Sequence, residues 1–407
     1  MRRLAEVGIV GAGPAGARAA ELLARQGVDV VAFDRNVPWE KCCGGGLPSA
    51  LFDEIPELED LRSLARPIDR ARIEVHPDTG FDVELDAPIW IVSREALGRW
   101  QLERALEAGV KHEPTRVETI RSTDGGWILD TDRGEWKVSD LVGADGAASR
   151  VRRVLAPEFF IEQAPARVAY PHDVDDEPTF IVLRFYHGLV GYLWDFPRLD
   201  HHSIGIEVTG GSWSRGELDG RIDEYLEWNG FDPSPWALRA GAVIGTAQLG
   251  HGDFSGISGR RFALLGDAAG LADPFTGEGI RNAMRSAGLL AQARGAGRAE
   301  WTEAYSALAR ETFSREFAFA RLLRRTLGES GIGVRLVERG VSSDVAFAAV
   351  VAVLNTVVSH DTGLSRLLTR WHRAIRNARR ETERRGPKAH ARPRSPGRER
   401  THGSHTT

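Results

Sequence analysis

Apolar and polar positions fall into two textures along this chain. In the first, a short apolar run leads through a glycine-bearing turn into a helix. Val7, Ile9 and Val10 form such a run, GAGPAG follows at once, and Leu22 and Leu23 mark the inner face of a helix predicted to stop near Gly27. Val28, Val30, Val31 and Phe33 then make a second strand ending at Asp34. At 93–109, Ser93 caps a helix whose buried side is marked by Leu97, Leu102 and Leu106, and Gly109 ends it. The texture returns at 141–155, with a strand at Leu141 and Val142, a turn over 143–146 and a basic helix. It returns once more at 261–292 as strand, Gly-Asp turn, Gly-rich loop and helix.

The second texture is alternation. ARIEVHPDTGFDVELDAPIWIV (71–92) alternates around a turn at Asp78-Thr79-Gly80 and predicts an antiparallel hairpin. Short strands are predicted at 117–120, 127–131 and 135–138. TFIVLRFY (179–186), GYLWDFP (191–197), HSIGIEV (202–208) and AVIGTAQLG (242–250) predict an antiparallel sheet forming a second domain. NVPWEKCCGGGLPSA (36–50) fits neither texture. Three consecutive glycines lose too much backbone entropy to hold a helix or strand, so this is a loop running back past whatever the first turn binds. Residues 299–325 fit an amphipathic helix, with Tyr305, Leu308, Thr312 and Leu323 near the expected faces. Further helices are predicted over 341–375. One is almost wholly apolar, suited either to packing in a C-terminal subdomain or to leaning on a membrane or lining a lipid pocket.

The fold class is therefore α/β. A Rossmann-type nucleotide-binding domain (1–70, 93–165 and 255–298) is interrupted by an antiparallel β-sheet substrate domain (71–92 and 166–254). A helical C-terminal region (299–385) and a disordered basic tail (386–407) follow.

Charge and cysteine usage sharpen this picture. The formal net charge is −4, yet residues 371–400 hold eleven Arg or Lys against three Glu, so a basic tail hangs on an acidic body. No groove-reading module accompanies that charge, so nucleic acid is not an expected partner, while peripheral contact with anionic lipid stays open. Both cysteines are adjacent, Cys42 and Cys43, which excludes a disulfide framework and points to a reducing compartment. The first strand begins within seven residues of the start, leaving no room for a signal peptide, and the longest purely apolar run, 345–354, is too short to span a membrane. A soluble cytoplasmic protein is expected. The histidines are scattered and His201-His202 lacks partners at ligand spacing, so no metal is expected. The oligomeric state is not readable.

The chemistry begins at Gly11, Gly13 and Gly16, which keep the G-x-G-x-x-G spacing. Gly11 makes the tight turn, Gly13 lets a pyrophosphate approach the backbone, and Gly16 lets helix and strand close up. The anion then sits on unpaired helix N–H groups, and Asp34 is placed to accept from a ribose hydroxyl. This motif alone leaves FAD and NAD both open.

Two further stretches resemble the FAD-dependent reductases and monooxygenases built like p-hydroxybenzoate hydroxylase. They are Gly143-Ala144-Asp145-Gly146-Ala147-Ala148-Ser149-Arg150, and Gly266-Asp267-Ala268-Ala269-Gly270 continuing to Pro274 and Gly277-Glu278-Gly279-Ile280. Within that superfamily, Lys41-Cys42-Cys43-Gly44-Gly45-Gly46-Leu47 is similar to the Lys-Pro-Cys-Gly-Gly-Gly-Leu loop of the geranylgeranyl reductase branch, with Cys42 standing where proline is common. Gly191-Tyr192-Leu193-Trp194-Asp195-Phe196-Pro197 is similar to that branch's Tyr-x-Trp-x-Phe-Pro segment, and halogenases carry a comparable one.

The resemblance implies FAD as cofactor. It implies contacts at Ala15, at Asp34 with Arg35 beside it, at Cys43, Gly44 and Gly46, at Arg94 and Val117, and at Asp267, Gly279 and Ile280. Gly98 departs from the aspartate common four residues after the Arg94 position. Saturation of double bonds in a prenyl or geranylgeranyl chain is the implied reaction, on an apolar prenylated small molecule or lipid, with NADPH or NADH as reductant and ferredoxin also open. Tyr192, Trp194 and Phe196 would line the substrate cavity. Cys43 is the candidate catalytic residue, positioning the alkene, relaying a proton or packing on the flavin. An FAD-dependent monooxygenase or halogenase acting on an aromatic or apolar substrate is the competing class.

Overall fold

The computed structural model describes residues 3–76, 79–171, 180–209, 213–231, 238–247, 254–295, 300–359 and 364–385. The expected turn residue Asp78, the ends of two expected strands at Thr179 and 248–250, and the tail 386–407 lie outside them.

In chain order the first elements are β1 (Arg3–Val10), α1 (Pro14–Arg25), β2 (Val30–Phe33), β3 (Gly46–Pro48), α2 (Ser49–Glu54), β4 (Ala65–His76), β5 (Thr79–Val92) and α3 (Arg94–Glu107). There follow β6 (Lys111–Glu113), β7 (Val117–Thr123), β8 (Gly126–Thr131), β9 (Gly134–Gly143), α4 (Arg150–Leu155), β10 (Ile161–Tyr170), β11 (Ile181–Arg184), β12 (Gly191–Pro197), β13 (His202–Val208) and α5 (Arg215–Trp228). The chain continues through β14 (Leu238–Ala247), β15 (Ser258–Gly259), β16 (Phe262–Leu264), α6 (Ile280–Gly295) and α7 (Trp301–Leu323). A π-helical turn (Arg324–Glu329) leads to α8 (Ile332–Gly340), α9 (Asp344–Val358) and α10 (Leu364–Arg385).

Two eight-stranded sheets result. The first runs β15-β16-β9-β1-β2-β6, with β8 and β7 added to β9 as an antiparallel meander. Its central strands β16, β9, β1, β2 and β6 are parallel and end together: Val10 pairs with Phe33 and Gly143, and Gly143 pairs with Leu264. Parallel strands buried on both faces read as near-continuous apolar runs, as Val30–Phe33 does. Helices α1, α6 and α7 close over this sheet around Leu23, Leu290, Tyr305 and Phe313. The second sheet runs β14-β10-β13-β12-β11-β4-β5-β3 and packs α5 on one face through Leu218, Ile222 and Leu226.

Several expectations change. Leu106 is 47% exposed; the buried stripe of α3 is Leu97, Gln101 and Ala105, spaced four apart. The expected strands at 135–138 and 141–142 are one continuous strand, β9, because the alternating outer half runs straight into the buried inner half. Gly46 opens β3, since an edge of β5 is there to pair with it. The hairpin of the second sheet begins at Ala65, and β10 enters that sheet at Ile161, both earlier than the alternation suggests. Helix α5 lies inside a stretch read as strands and turns; its capping box, Ser214 with Glu217, is the local signal for it.

The second sheet is antiparallel except where β11 lies parallel to β4. Across that pairing Glu74 and Arg184 are register neighbours, both buried, with Arg184 Nη2 donating to Glu74 Oε1 at 3.0 Å and the guanidinium 4.5 Å from the Tyr225 ring. Burial pushes the Glu74 carboxyl up, and Arg184 only partly offsets it. Removing one partner of such a pair strands the other charge, whereas replacing both does not. Arg184→Met is expected to cost about 3–5 kcal/mol in urea unfolding. Glu74→Leu added to Arg184→Met is expected to recover most of that loss.

Candidate active site

Because the parallel strands end on one edge, the turns that follow them converge. Gly11 N donates to Phe33 O, Ala144 N to Val10 O and Leu265 N to Gly143 O, each at 2.8 Å, so the glycine turn, the acid-Gly turn and the Gly-Asp turn are stitched to neighbouring strands. Helix α1 starts directly behind Gly13 and has no side-chain cap, so its first N–H groups face the crevice. A Cβ on Gly13 would meet nothing within 4 Å, whereas one on Gly16 would overlap the Gly11 carbonyl. Gly13 thus leaves room for a ligand, and Gly16 leaves room for the helix.

The acids divide their work. Asp34 Oδ2 accepts from Ala12 N at 2.9 Å and its Oδ1 from Asn36 N at 2.9 Å, closing the glycine turn from behind with lone pairs left over. Asp145 accepts from Ser149 Oγ and from Arg150 N, so its carboxylate caps α4. Asp267 takes Lys41 Nζ at 3.4 Å and lies within contact of Gly279, at the start of α6.

The stretch 40–46 bridges the two sheets. Glu40 reaches the N-terminus of α3, where Ser93 Oγ donates to it at 2.7 Å and Arg94 N at 3.1 Å. Burial would raise Glu40, but Arg198, 2.7 Å away, and the Ser93 hydroxyl outweigh it and hold the carboxyl below the usual range. Arg198, only 1% exposed, also donates to the Cys43 carbonyl at 2.8 Å, and Ser203 Oγ donates there at 3.0 Å. Gly45 holds φ +81°, a left-handed conformation that side chains resist, and Gly44 lies so close to Phe196 that a Cβ would sit 2.5 Å from its ring. That close approach accounts for the run of glycines.

The two cysteines point differently. Cys42 is buried among Tyr170, Trp194 and Val168, and burial, with the neighbouring Cys43, pushes its thiol up to about 12. It stays a thiol. Cys43 is half-buried, and the buried Arg94 guanidinium lies beside it, with the Asp267 and Glu40 carboxylates nearby. Arg94 Nε is buried with no hydrogen-bond partner among the described residues, as expected of a group that awaits a ligand.

One cavity of about 830 Å³ runs past the glycine turn, the acid-Gly and Gly-Asp turns and the bridging stretch. At one end its wall holds Gly11, Gly13, Ala15, Asp34, Arg35 and Val117. In the middle it holds Cys43, Gly44, Gly46, Arg94, Asp267, Gly279 and Ile280. Gly16 stands behind the wall, packed on Gly11. Tyr192, Trp194 and Phe196 alternate along β12 and form the side facing Cys43: Tyr192 Oη donates to Thr276 O at 2.6 Å, and Trp194 Nε1 donates to Ser203 Oγ at 3.1 Å.

Beyond the rings the cavity becomes an apolar chamber, whose other walls sequence reasoning did not place. Ala349, Val350, Val353, Leu354, Val357 and Val358 of the apolar helix α9 line it, opposite Ile73, Leu183 and Phe185. The apolar run of this helix allows a packed helix or one lining a lipid pocket, and the spacing of Ala349, Val353 and Val357 puts one face on the cavity. Arg198 and Glu207, both buried, were also missed. Among the described residues no helix is long and apolar enough to cross a membrane, and no group of three His, Cys, Asp or Glu is arranged to hold a metal ion.

The FAD binding domain family matches residues 4–40. The chain is 30% identical to a chloroplastic geranylgeranyl diphosphate reductase of Oryza sativa subsp. japonica, over 74% of this chain and 68% of that one. It is 28% identical to a menaquinone reductase of Mycolicibacterium smegmatis, over 79% and 84%. Its fold is similar to that of a geranylgeranyl bacteriochlorophyll reductase-like protein from Thermoplasma acidophilum, with a TM-score of 0.70 at 19% identity, covering 94% of this chain and 100% of that one. The open space at Gly13, the uncapped helix start and the orphaned Arg94 Nε fit FAD. Gly13→Val is therefore expected to leave the melting temperature of the FAD-free protein unchanged. In a fluorescence titration it should weaken FAD binding by about 10- to 100-fold, or about 1.4–2.8 kcal/mol. With the rice enzyme matched at that identity across two thirds of its length, the chain belongs to the geranylgeranyl reductase family of FAD-dependent oxidoreductases.

Proposed function

We propose that this protein saturates carbon–carbon double bonds of a prenyl chain, with NADPH or NADH as the source of electrons. The observation that carries the reading is the continuity of the cavity: the crevice at the strand ends and the α9-lined chamber are one space. The name of the rice relative, a geranylgeranyl diphosphate reductase, supports the same substrate class. In this reading the parallel sheet with its helices is the FAD-binding domain, the second sheet is the substrate domain, and α8 and α9 complete the chamber.

Bound FAD, once reduced, supplies a hydride to one carbon of the double bond. The residues of this chain do the rest. Gly11, Gly13, Ala15 and the start of α1 hold the pyrophosphate, Asp34 and Arg35 the adenosine ribose, and Val117 the adenine edge. Asp267, Gly279, Ile280 and Arg94 hold the ring end. The stripe from Ala349 to Val357 is about 12 Å long at the helical rise and offers a hydrocarbon a dry wall along that length. Tyr192, Trp194 and Phe196 present flat faces that keep the chain against the Cys43 loop and exclude water from the reacting bond. Cys43, the half-buried thiol of the pair, positions the alkene at the junction of crevice and chamber.

Incubation of the FAD-loaded protein with NADPH and geranylgeranyl diphosphate is expected to give products heavier by two hydrogens for each bond reduced. A product heavier by one oxygen would instead establish the monooxygenase reading. Val353→Trp, which fills the chamber far from the strand ends, should slow saturation at least ~10-fold through misplacement of the chain. It should leave the rate of FAD reduction by NADPH unchanged.

A further inference from the structure

Each double bond that is saturated needs a proton as well as a hydride, and the cavity wall holds an acid that the reading above does not use. Strand β13 turns Ser203, Gly205 and Glu207 to the same side, directly across from Phe196, Trp194 and Tyr192 of β12. Ser203 and Gly205 have evident tasks: the first bonds Trp194 and the Cys43 carbonyl, and the second lies under the Trp194 ring. Glu207 has none. It lines the cavity, is 3% exposed, and its carboxyl makes no hydrogen bond or ion pair among the described residues. It lies against Gly277, so close that a Cβ there would overlap it. On the cavity side of this strand its neighbours are Ser203 and Gly205, and burying an acid there without a partner is costly.

Its surroundings favour the protonated form. Asp273 faces it from the loop before α6, Tyr192 from β12 and Cys42 from the bridging stretch, while β10 presents Ala166; Glu278 of the same loop lies near Tyr192. Among the described residues the cation near it, Arg324 of the π-helical turn, is committed to Glu162 at 2.7 and 2.8 Å and to the Thr209 carbonyl. Burial, then Asp273, pushes the Glu207 carboxyl up to about 8.

We propose that Glu207 is the proton donor of the saturation reaction, delivering its proton to the alkene carbon that does not receive the hydride. The inference rests on the prenyl reduction proposed above. The alkene gains one C–H bond from the hydride that reduced FAD supplies. Its π electron pair forms the second C–H bond with the Glu207 proton as the carboxyl O–H breaks. Glu207 is left a carboxylate and takes a proton back from solvent once the product leaves, and NADPH or NADH restores the two electrons. A donor must hold its proton, so competence is full at low pH and is lost as pH rises through about 8.

Glu207→Gln keeps size and neutrality but has no acidic proton. In the FAD-loaded full chain it should leave FAD reduction by NADPH unchanged. Single-turnover saturation of geranylgeranyl diphosphate should slow by about 10²–10⁴-fold, and the alkaline loss of rate should vanish. Glu207→Asp should keep part of the rate and the alkaline loss. Independently of turnover, infrared titration of the FAD-free wild-type protein should show a carboxylic-acid carbonyl band that fades as pH rises through about 8 and is missing from Glu207→Gln. An active wild type matched in rate by Glu207→Gln would overturn this inference alone, as would absence of the band. A wild type that binds FAD but saturates no bond would overturn the proposed function, and this inference with it.

Discussion

The carbonyl oxygen of Cys43 is where the two halves of the molecule are tied. Arg198 and Ser203, both from the second sheet, donate to it, and Glu40 three residues earlier neutralises that same arginine while reaching the start of α3. A guanidinium as buried as Arg198 is stable only with a carboxylate and acceptors on its donors. The bridging stretch supplies the Glu40 carboxylate and the Cys43 carbonyl, so it cannot shift without stranding a charge. The glycines that follow let the backbone press against Phe196 and the edge of β5. Geometry at this junction decides whether the nucleotide crevice and the apolar chamber meet or are walled apart.

They meet because each sheet contributes in its own way. Parallel strands gather their C-terminal turns on one edge, which concentrates backbone N–H groups and acids there. The second sheet alternates instead, so one face of β12 and β13 gives rings and small residues to the cavity while the other packs against α5. Helix α9 closes the far side. Its apolar surface is half-buried because part of it covers the sheet and part faces the cavity.

The sequence was most legible where a local rule dictates structure. G-x-G-x-x-G, the following helix and Asp34 could be placed because each step needs only its neighbours. The same holds for the Ser93 cap and for the alternation of Tyr192, Trp194 and Phe196. Legibility failed where partners are distant. Nothing near Arg198 announces that it will be buried against Glu40. Nothing near Ala71 or Ile181 announces that β4 and β11 will pair in parallel. The apolar positions put Leu106 with Leu97 and Leu102 on the buried side, but the helix buries Gln101 and Ala105 because α3 packs on α1, where Gln101 reaches the Pro14 carbonyl. Glu207 carried a readable signal, an acid alternating with Ser203 and Gly205. Its meaning depended on knowing which face of the strand the cavity would occupy.

That the flavin ring and the hydrocarbon share one space can be tested without turnover. FAD-loaded protein titrated with phytanyl diphosphate, a saturated chain that cannot react, should show a saturable shift of the visible flavin bands as the chain fills the chamber beside Cys43. Binding of that chain, measured by calorimetry, with no change in the flavin spectrum would contradict a shared cavity.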